Sequence, residues 1–265
     1  MKAIILAAGE GQRLRPLTDN KPKCLVELFG KNLLDWKIEL LKKFDISDII
    51  IVTGYKNEKI DLNHIKFYRN NLYQSTNMVE TLFCARDEFD DSILVIYGDI
   101  IFEAKVLESI LKNKDEISVV IDQNWKEYWK IRFNNPLDDA ESLMLDKDGF
   151  IDSIGQKVNN INEISGQYIG LIKFSKKSIQ KILKFYDEMK EKSKKGINPL
   201  NPNLLFEESY MTDFLQSMIN FGFKIKAIPV KNGWLELDSI NDYNTYRKLF
   251  NSGQIKNFFN PDKVK

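Results

Sequence analysis

Gly9 and Gly11 follow directly on the apolar run of residues 3–7 and open the string Gly-Glu-Gly-Gln-Arg-Leu-Arg-Pro-Leu-Thr-Asp-Asn-Lys-Pro-Lys, which ends at Lys23. Glycine just past a strand lets backbone N–H groups turn toward an anion with no side chain in the way. Arg13 and Lys23 add cationic donors matched to phosphate oxygens. Taken alone, such a turn often only joins a strand to a helix. A dinucleotide fingerprint is disfavoured, because Gln12-Arg13-Leu14 follows with no third glycine, and the Walker pattern is absent because no Gly-Lys-Ser/Thr follows. Further along, Asp99 in Tyr97-Gly98-Asp99 closes another apolar run, and Asp238 stands in Trp234-Leu235-Glu236-Leu237-Asp238-Ser239. A carboxylate at a strand's carboxyl end sits where α/β folds bind ligands. An Asp there is nevertheless more often a turn or cap residue, and segment 234–239 by itself reads as an edge strand. The single histidine, His64, lies in a polar loop context, so no Ser–His or Cys–His catalysis is built convincingly.

The elements that must position these residues follow from periodicity. Residues 3–7 form a continuous apolar run, as a strand buried on both faces does. Residues 48–53, 92–97 and 117–121 read the same way. Between them, residues 33–44 carry Leu33, Leu34, Ile38, Leu41 and Phe44 near helical spacing, with Lys and Glu between. Residues 75–89 repeat that spacing, and 106–111 is a shorter helix. Strand, helix, strand, helix, strand predicts a three-layer α/β fold with a mostly parallel central sheet. Beyond it, 169–174 reads as a strand, 176–195 as a charged amphipathic helix, 212–221 as a helix and 224–230 as an edge strand. The Gly, Asn and Pro residues of 196–202 mark a loop, and the polar tail after Asn251 is expected to be loosely held.

Composition narrows the classes. Hydrophobic residues at 43% and charged ones at 29% are ordinary for a globular chain and predict a packed core. Lys+Arg 39 against Asp+Glu 38 leaves a net charge of +1, which offers no electrostatic footprint for nucleic acid. Cys24 and Cys84 are too few and too far apart for a disulfide framework or a zinc site, and reduced thiols suit a cytoplasmic protein. No apolar stretch approaches the length of a membrane span.

The complete string is specific where its glycines are not. Gly9, Gly11, Arg13, Leu14, Pro16, Leu17, Thr18, Pro22 and Lys23 stand in register with Gly-x-Gly-x-Arg-Leu-x-Pro-Leu-Thr followed by Pro-Lys. The chain therefore resembles the nucleotidyltransferases that activate sugar phosphates and phosphocholine. The resemblance implies a Rossmann-like three-layer nucleotidyltransferase fold with a smaller acceptor-binding lobe. It divides the single domain, 1–265, into a nucleotide-binding core (1–120), a mainly acceptor-side lobe (121–235) and a C-terminal segment (236–265) carrying Asp238. In that family the loop wraps the NTP phosphates. The implied nucleotide-binding residues are Leu6, Ala8, Gly9, Glu10, Gly11, Gln12, Thr76, Asn77 and Gly98. Arg13 and Lys23 would neutralise the leaving pyrophosphate, Lys157 is placed like a second catalytic lysine, and Asp99 with Asp238 resembles the pair that holds one Mg²⁺. Two oxygen ligands suit that ion.

The acceptor is the less determined half. The short chain and its Leu235–Tyr243 ending look most like compact CTP-dependent cytidylyltransferases acting on phosphocholine, phosphorylated glutamine or small phosphonates. A sugar-1-phosphate uridylyl- or thymidylyltransferase and a non-catalytic nucleotide-sensing subunit are the alternatives. Trp125, Tyr128, Trp129, Arg132 and Phe133 follow helical spacing. They form either core or an aromatic face that cages an ammonium, with Arg132 meeting an anion. The implied acceptor-binding residues are Trp125, Trp129, Arg132, Gln167, Tyr168 and Glu236. Such an acceptor is already anionic near neutral pH, so the chemistry is mainly positioning and charge neutralisation. The implied partners are CTP and the small acceptor, with no nucleic acid or membrane; a homodimer is left open.

Overall fold

The computed structural model describes residues 1–63 and 65–264, so His64 lies outside the described residues. In chain order the strands and helices are β1 (Lys2–Ala7), the small hairpin β2 (Glu27–Leu28) and β3 (Lys31–Asn32), α1 (Leu33–Lys43), β4 (Ile49–Thr53), β5 (Lys66–Arg69), α2 (Met78–Phe83), β6 (Ile93–Tyr97), β7 (Ile100–Phe102), α3 (Ala104–Lys112) and β8 (Ile117–Asp122). Then come α4 (Trp125–Arg132), the hairpin β9 (Glu141–Leu145) and β10 (Ile151–Lys157), β11 (Gln167–Phe174), α5 (Lys176–Ser193), α6 (Met211–Asn220), β12 (Lys226–Val230), β13 (Trp234–Glu236) and α7 (Ile240–Asn251).

Seven strands form one sheet in the order β12-β8-β11-β6-β1-β4-β5. All run parallel except β11, which pairs antiparallel with β6 and β8. The apolar runs alternate between the faces, as the two-residue period of a strand requires. Ala3, Ile5, Ile49 and Ile51 enter one core and Ile4, Leu6, Ile50 and Val52 the other. Helices α1, α3, α4 and α7 cover the first face, and α2, α5 and α6 the second. This is a three-layer α/β architecture around a mostly parallel sheet, as the order of runs predicts. β12 is an edge strand, while the opposite edge is β5, whose exposed Lys66 and Phe67 give it no apolar signature.

Two expectations change. The helix read over 75–89 shrinks to α2, because Asn77 caps it by accepting the Met78 N–H at 2.8 Å and the chain tightens into a short 3-10 turn after Ala85. The tail after Asn251 is not loose. Ile255, Phe259 and Val264 are buried, Phe259 packs edge-on against Trp36, and the Phe258 carbonyl accepts the Gly233 N–H. Its polar composition hid three apolar anchors.

Candidate active site

β1 and β6 lie side by side in parallel, with Leu6 opposite Tyr97, so the turns that leave their carboxyl ends emerge together. Gly98 is the point of closest approach. A Cβ there would lie 2.4 Å from the Leu6 carbonyl oxygen, so any larger residue would push the turn off β1. On the other side, Gly11 adopts φ 66°, a left-handed conformation suited to glycine. Its carbonyl accepts the hydroxyl of fully buried Thr18 at 2.8 Å. The loop is thereby folded over Lys23, which explains why Thr18 belongs to the motif.

The two carboxylates meet through a second, shorter ladder. β7 pairs antiparallel with β13, Ile100 opposite Glu236, and the Asp99 carbonyl accepts the Leu237 N–H at 2.9 Å. Asp238 is then fixed by the start of α7. Ser239 Oγ accepts the Asp242 N–H, and the Asp242 carboxylate accepts the N–H groups of both Ser239 and Asp238. Lys23 Nζ lies between the carboxylates, 2.8 Å from Asp99 Oδ2 and 2.9 Å from Asp238 Oδ1, and Arg13 Nη2 is 2.6 Å from Asp238 Oδ2. Burial works against the Lys23 ammonium, but Asp99, Asp238 and Glu236 outweigh it and raise its pKa. Burial likewise opposes ionisation of Asp238, and Lys23 and Arg13 reverse the sign and lower its pKa. Glu236 goes the other way: burial pushes it up to about 7 against the pull of Arg132, with Asp99 and Asp238 adding to the rise.

Asp99 Oδ1 is buried with no hydrogen-bond partner among the described residues. An orphaned carboxylate oxygen is costly unless a ligand satisfies it. No cluster of three or more His, Cys, Asp or Glu converges among the described residues into an all-protein metal cage. Asp99 and Asp238 offer instead a sparse set of oxygens, the kind that could hold a Mg²⁺ whose remaining ligands come from elsewhere.

Above this floor lies a cleft of about 480 Å³. Leu6, Ala8, Gly9, Gly11, Gln12, Arg13, Lys23, Thr76, Asn77, Gly98, Asp99, Glu236 and Asp238 all line it. Glu10, also expected at the nucleotide, is outside this lining and accepts hydrogen bonds from the side-chain amides of Gln12 and Gln74. The Thr76 hydroxyl donates to the Leu72 carbonyl and accepts from Asn70, which leaves it no free proton for a base. The Asn77 carboxamide oxygen caps α2, so its NH₂ group is the end left for a ligand.

A second cavity of about 200 Å³ shares Met78, Tyr210 and Glu236 with the first. Gln167, Tyr168 and Trp129 line it, together with Asp139 and Glu141. Trp129 Nε1 donates to Asp139 at 3.1 Å, and Gln167 exchanges hydrogen bonds with the Glu141 backbone. Burial pushes the Glu141 carboxyl up to about 7, with Asp139 and Asp213 adding to the rise. Among the described residues the lining holds three carboxylates and no lysine or arginine.

Three expected acceptor or catalytic positions are not brought to the cavities. Trp125 is 1% exposed and packs in the core with Tyr128, so the aromatic face of α4 is mostly interior and not a cage. Arg132 is spent on Glu236 at 2.6 Å and Asp242 at 3.1 Å. It braces the carboxylates and leaves no free cation for an acceptor anion. Lys157 is exposed at the end of β10, opposite Glu141 in the ladder but outside both linings. Asp139 and Glu141 close the distinctive segment 125–141 but are not among the expected acceptor residues, since periodicity does not reveal the turn and hairpin strand they stand in. Lys37 does carry a sequence signal. It falls between Leu33, Leu34, Ile38 and Leu41 on the apolar stripe of α1, where a lysine is out of place. It is 1% exposed, its Nζ donates to the carbonyls of Gly98 and Ile100, and burial pulls its pKa down to about 8.

The glycine loop over Lys23, the lysine between two carboxylates and the adjoining second cavity make up the candidate site. Residues 3–192 match the MobA-like NTP transferase domain, and the chain belongs to that family. It is 40% identical to the CTP:phosphoglutamine cytidylyltransferase of Campylobacter jejuni, over 91% of this chain and 97% of that one. Two solved structures share the fold. CTP:phosphocholine cytidylyltransferase from Streptococcus pneumoniae matches with a TM-score of 0.69 at 23% identity, over 94% and 98% of the two chains. The inositol-1-phosphate CTP transferase of T. maritima matches with a TM-score of 0.70 at 19% identity, over 98% and 97%.

Proposed function

We propose that the protein is a Mg²⁺-dependent cytidylyltransferase. It would transfer CMP from CTP to a small acceptor with a phosphate or phosphonate at one end and an ammonium at the other, releasing pyrophosphate. The observation that carries this reading is Lys23 held between Asp99 and Asp238 at the floor of the loop-lined cleft, with Asp99 Oδ1 buried and without a hydrogen-bond partner among the described residues. The choice of CTP is supported by the 40% identical relative and by the Asn77 NH₂ group, a donor suited to the ring acceptors of cytosine. An acceptor with an ammonium is supported by the carboxylates and aromatic walls of the second cavity. Phosphocholine, phosphoglutamine and aminoethylphosphonate all carry that group.

The residues divide the work simply. Gly9 and Gly11 present the loop backbone to the triphosphate, while Arg13 and Lys23 neutralise the β- and γ-phosphates as pyrophosphate departs. Asp99 and Asp238 would hold Mg²⁺, which when bound supplies charge neutralisation at the α-phosphate. The acceptor oxygen is already anionic, so no general base is needed, and the second cavity orients it for in-line attack.

A crossed screen of the four NTPs and dTTP against small phosphate and phosphonate esters, sugar 1-phosphates included, scored by pyrophosphate release, tests the reading. CTP with an amine-bearing acceptor should give turnover, and Asp99→Ala should abolish it. Preference for UTP or dTTP with a sugar 1-phosphate, or undiminished turnover in a folded Asp99→Ala protein, would overturn it.

A further inference from the structure

The geometry points to Lys37 as a positioning residue that aims Asp99 at the metal by clamping the peptide groups on either side of it. The inference rests on Asp99 being a metal ligand, as in the reading above. Lys37 reaches across from α1, and its Nζ donates to the Gly98 carbonyl at 2.7 Å and the Ile100 carbonyl at 3.0 Å. Between them, the Asp99 carbonyl accepts the Leu237 N–H. All three successive carbonyls are thus tied to other elements, and the Asp99 side chain inherits a fixed direction. Packing alone does not explain a lysine here. Its neighbours on the helix face are Leu33, Leu34, Ile38 and Leu41, its Nζ bonds to carbonyls, and the Asp99 charge favours the ammonium without outweighing burial. A buried ammonium with no direct ion-pair partner is costly, and an apolar side chain of equal length would suit the core better. What the lysine adds is two donors directed at the turn that presents a catalytic carboxylate, and groups that orient metal ligands typically set affinity 10- to 100-fold.

Lys37→Met keeps the length and removes the donors. It should fold with a Tm at or above that of the parent, bind Mn²⁺ about 10- to 100-fold more weakly by electron paramagnetic resonance, and lose kcat with little change in the KM of the acceptor. Lys37→Gln, which keeps a donor, should recover part of the Mn²⁺ affinity. A folded Lys37→Met protein with parental Mn²⁺ affinity and kcat would overturn the proposal. So would losses in Lys37→Met that merely follow a lowered Tm. If the Met variant does not fold, a folded Gln variant with parental affinity and kcat is equally decisive against it, and a weakened one supports it. Asp99→Asn separates the two layers of argument. If it leaves Mn²⁺ binding intact, the metal reading itself fails; if it abolishes binding while Lys37→Met does not, only the Lys37 inference fails.

Discussion

Asn77 illustrates how a structural duty can set a chemical one. Because its carboxamide oxygen caps α2 at 2.8 Å from the Met78 N–H, the amide cannot flip without losing the cap, and its donor end stays available to the cleft. Asn77→Asp keeps the cap, since Asp serves as well there, but replaces the donor with an acceptor. The expected result is a fall of about 10- to 100-fold in kcat/KM for CTP relative to UTP, on the scale of one to two hydrogen bonds, with the Tm little changed. An unaltered CTP-to-UTP ratio would remove Asn77 from base selection. Glu141 gives a pH signature. Its pKa of about 7 leaves it ionised above that pH and neutral below it, so attraction for an acceptor ammonium should fade as the pH drops through 7. The acceptor phosphate titrates nearby, but it does so equally with either enzyme. The informative quantity is therefore the ratio of acceptor kcat/KM between the parent and Glu141→Gln, which should shrink toward acid pH; a ratio independent of pH would exclude the carboxylate from the acceptor site. Asn77 was already a nucleotide-binding candidate in the sequence; which end of it faces the cleft, and that Glu141 lines the second cavity, depend on neighbours that only the fold supplies.

At the scale of elements, the site is a seam between strand ends. Gly98 touches the Leu6 carbonyl, and a methyl group there would fall 2.4 Å from that oxygen. Gly98→Ala should therefore separate the Asp99 turn from β1, costing about 1–3 kcal/mol of stability and more than tenfold in turnover. Chemical denaturation and a pyrophosphate assay check the two halves of that statement. The strands β1, β4, β6 and β8 were legible as continuous apolar runs, and the helices α1 and α4 by helical spacing. β5 and the β9–β10 hairpin were not, since one is an exposed edge and the other alternates weakly around a bulge. Helix α4 was legible as a helix but not in its orientation. Periodicity puts Trp125, Trp129 and Arg132 on one face, and only packing decides that this face is turned inward, with Arg132 bracing Glu236 and Asp242.

The whole molecule closes on its own C-terminal residues. The tail packs Phe259 between Phe29 and Trp36 and ties Asn260 to Glu103, so the α1 and α3 layer is completed by the last residues of the chain. Phe259→Ala should cost about 3–5 kcal/mol, seen as a lower midpoint in urea, with kcat unchanged at temperatures where the protein stays folded. A tail that could be trimmed to Ala at no cost would contradict the packing. The sequence by itself determined the layer architecture and the loop of segment 9–23, because apolar period and glycine placement are local properties that survive in one dimension. It also marked Asp99 and Asp238, through the strings around them. Tertiary structure alone decided that Lys23 lies between those two carboxylates, that Arg132 is paired with Glu236 and Asp242 and Lys37 with the Gly98 and Ile100 carbonyls, and that Asp139 and Glu141 join Glu236 around a second cavity. The reason is physical. These are contacts across as many as 215 residues of chain, and whether a polar side chain is spent or free depends on partners that only the folded chain brings within reach.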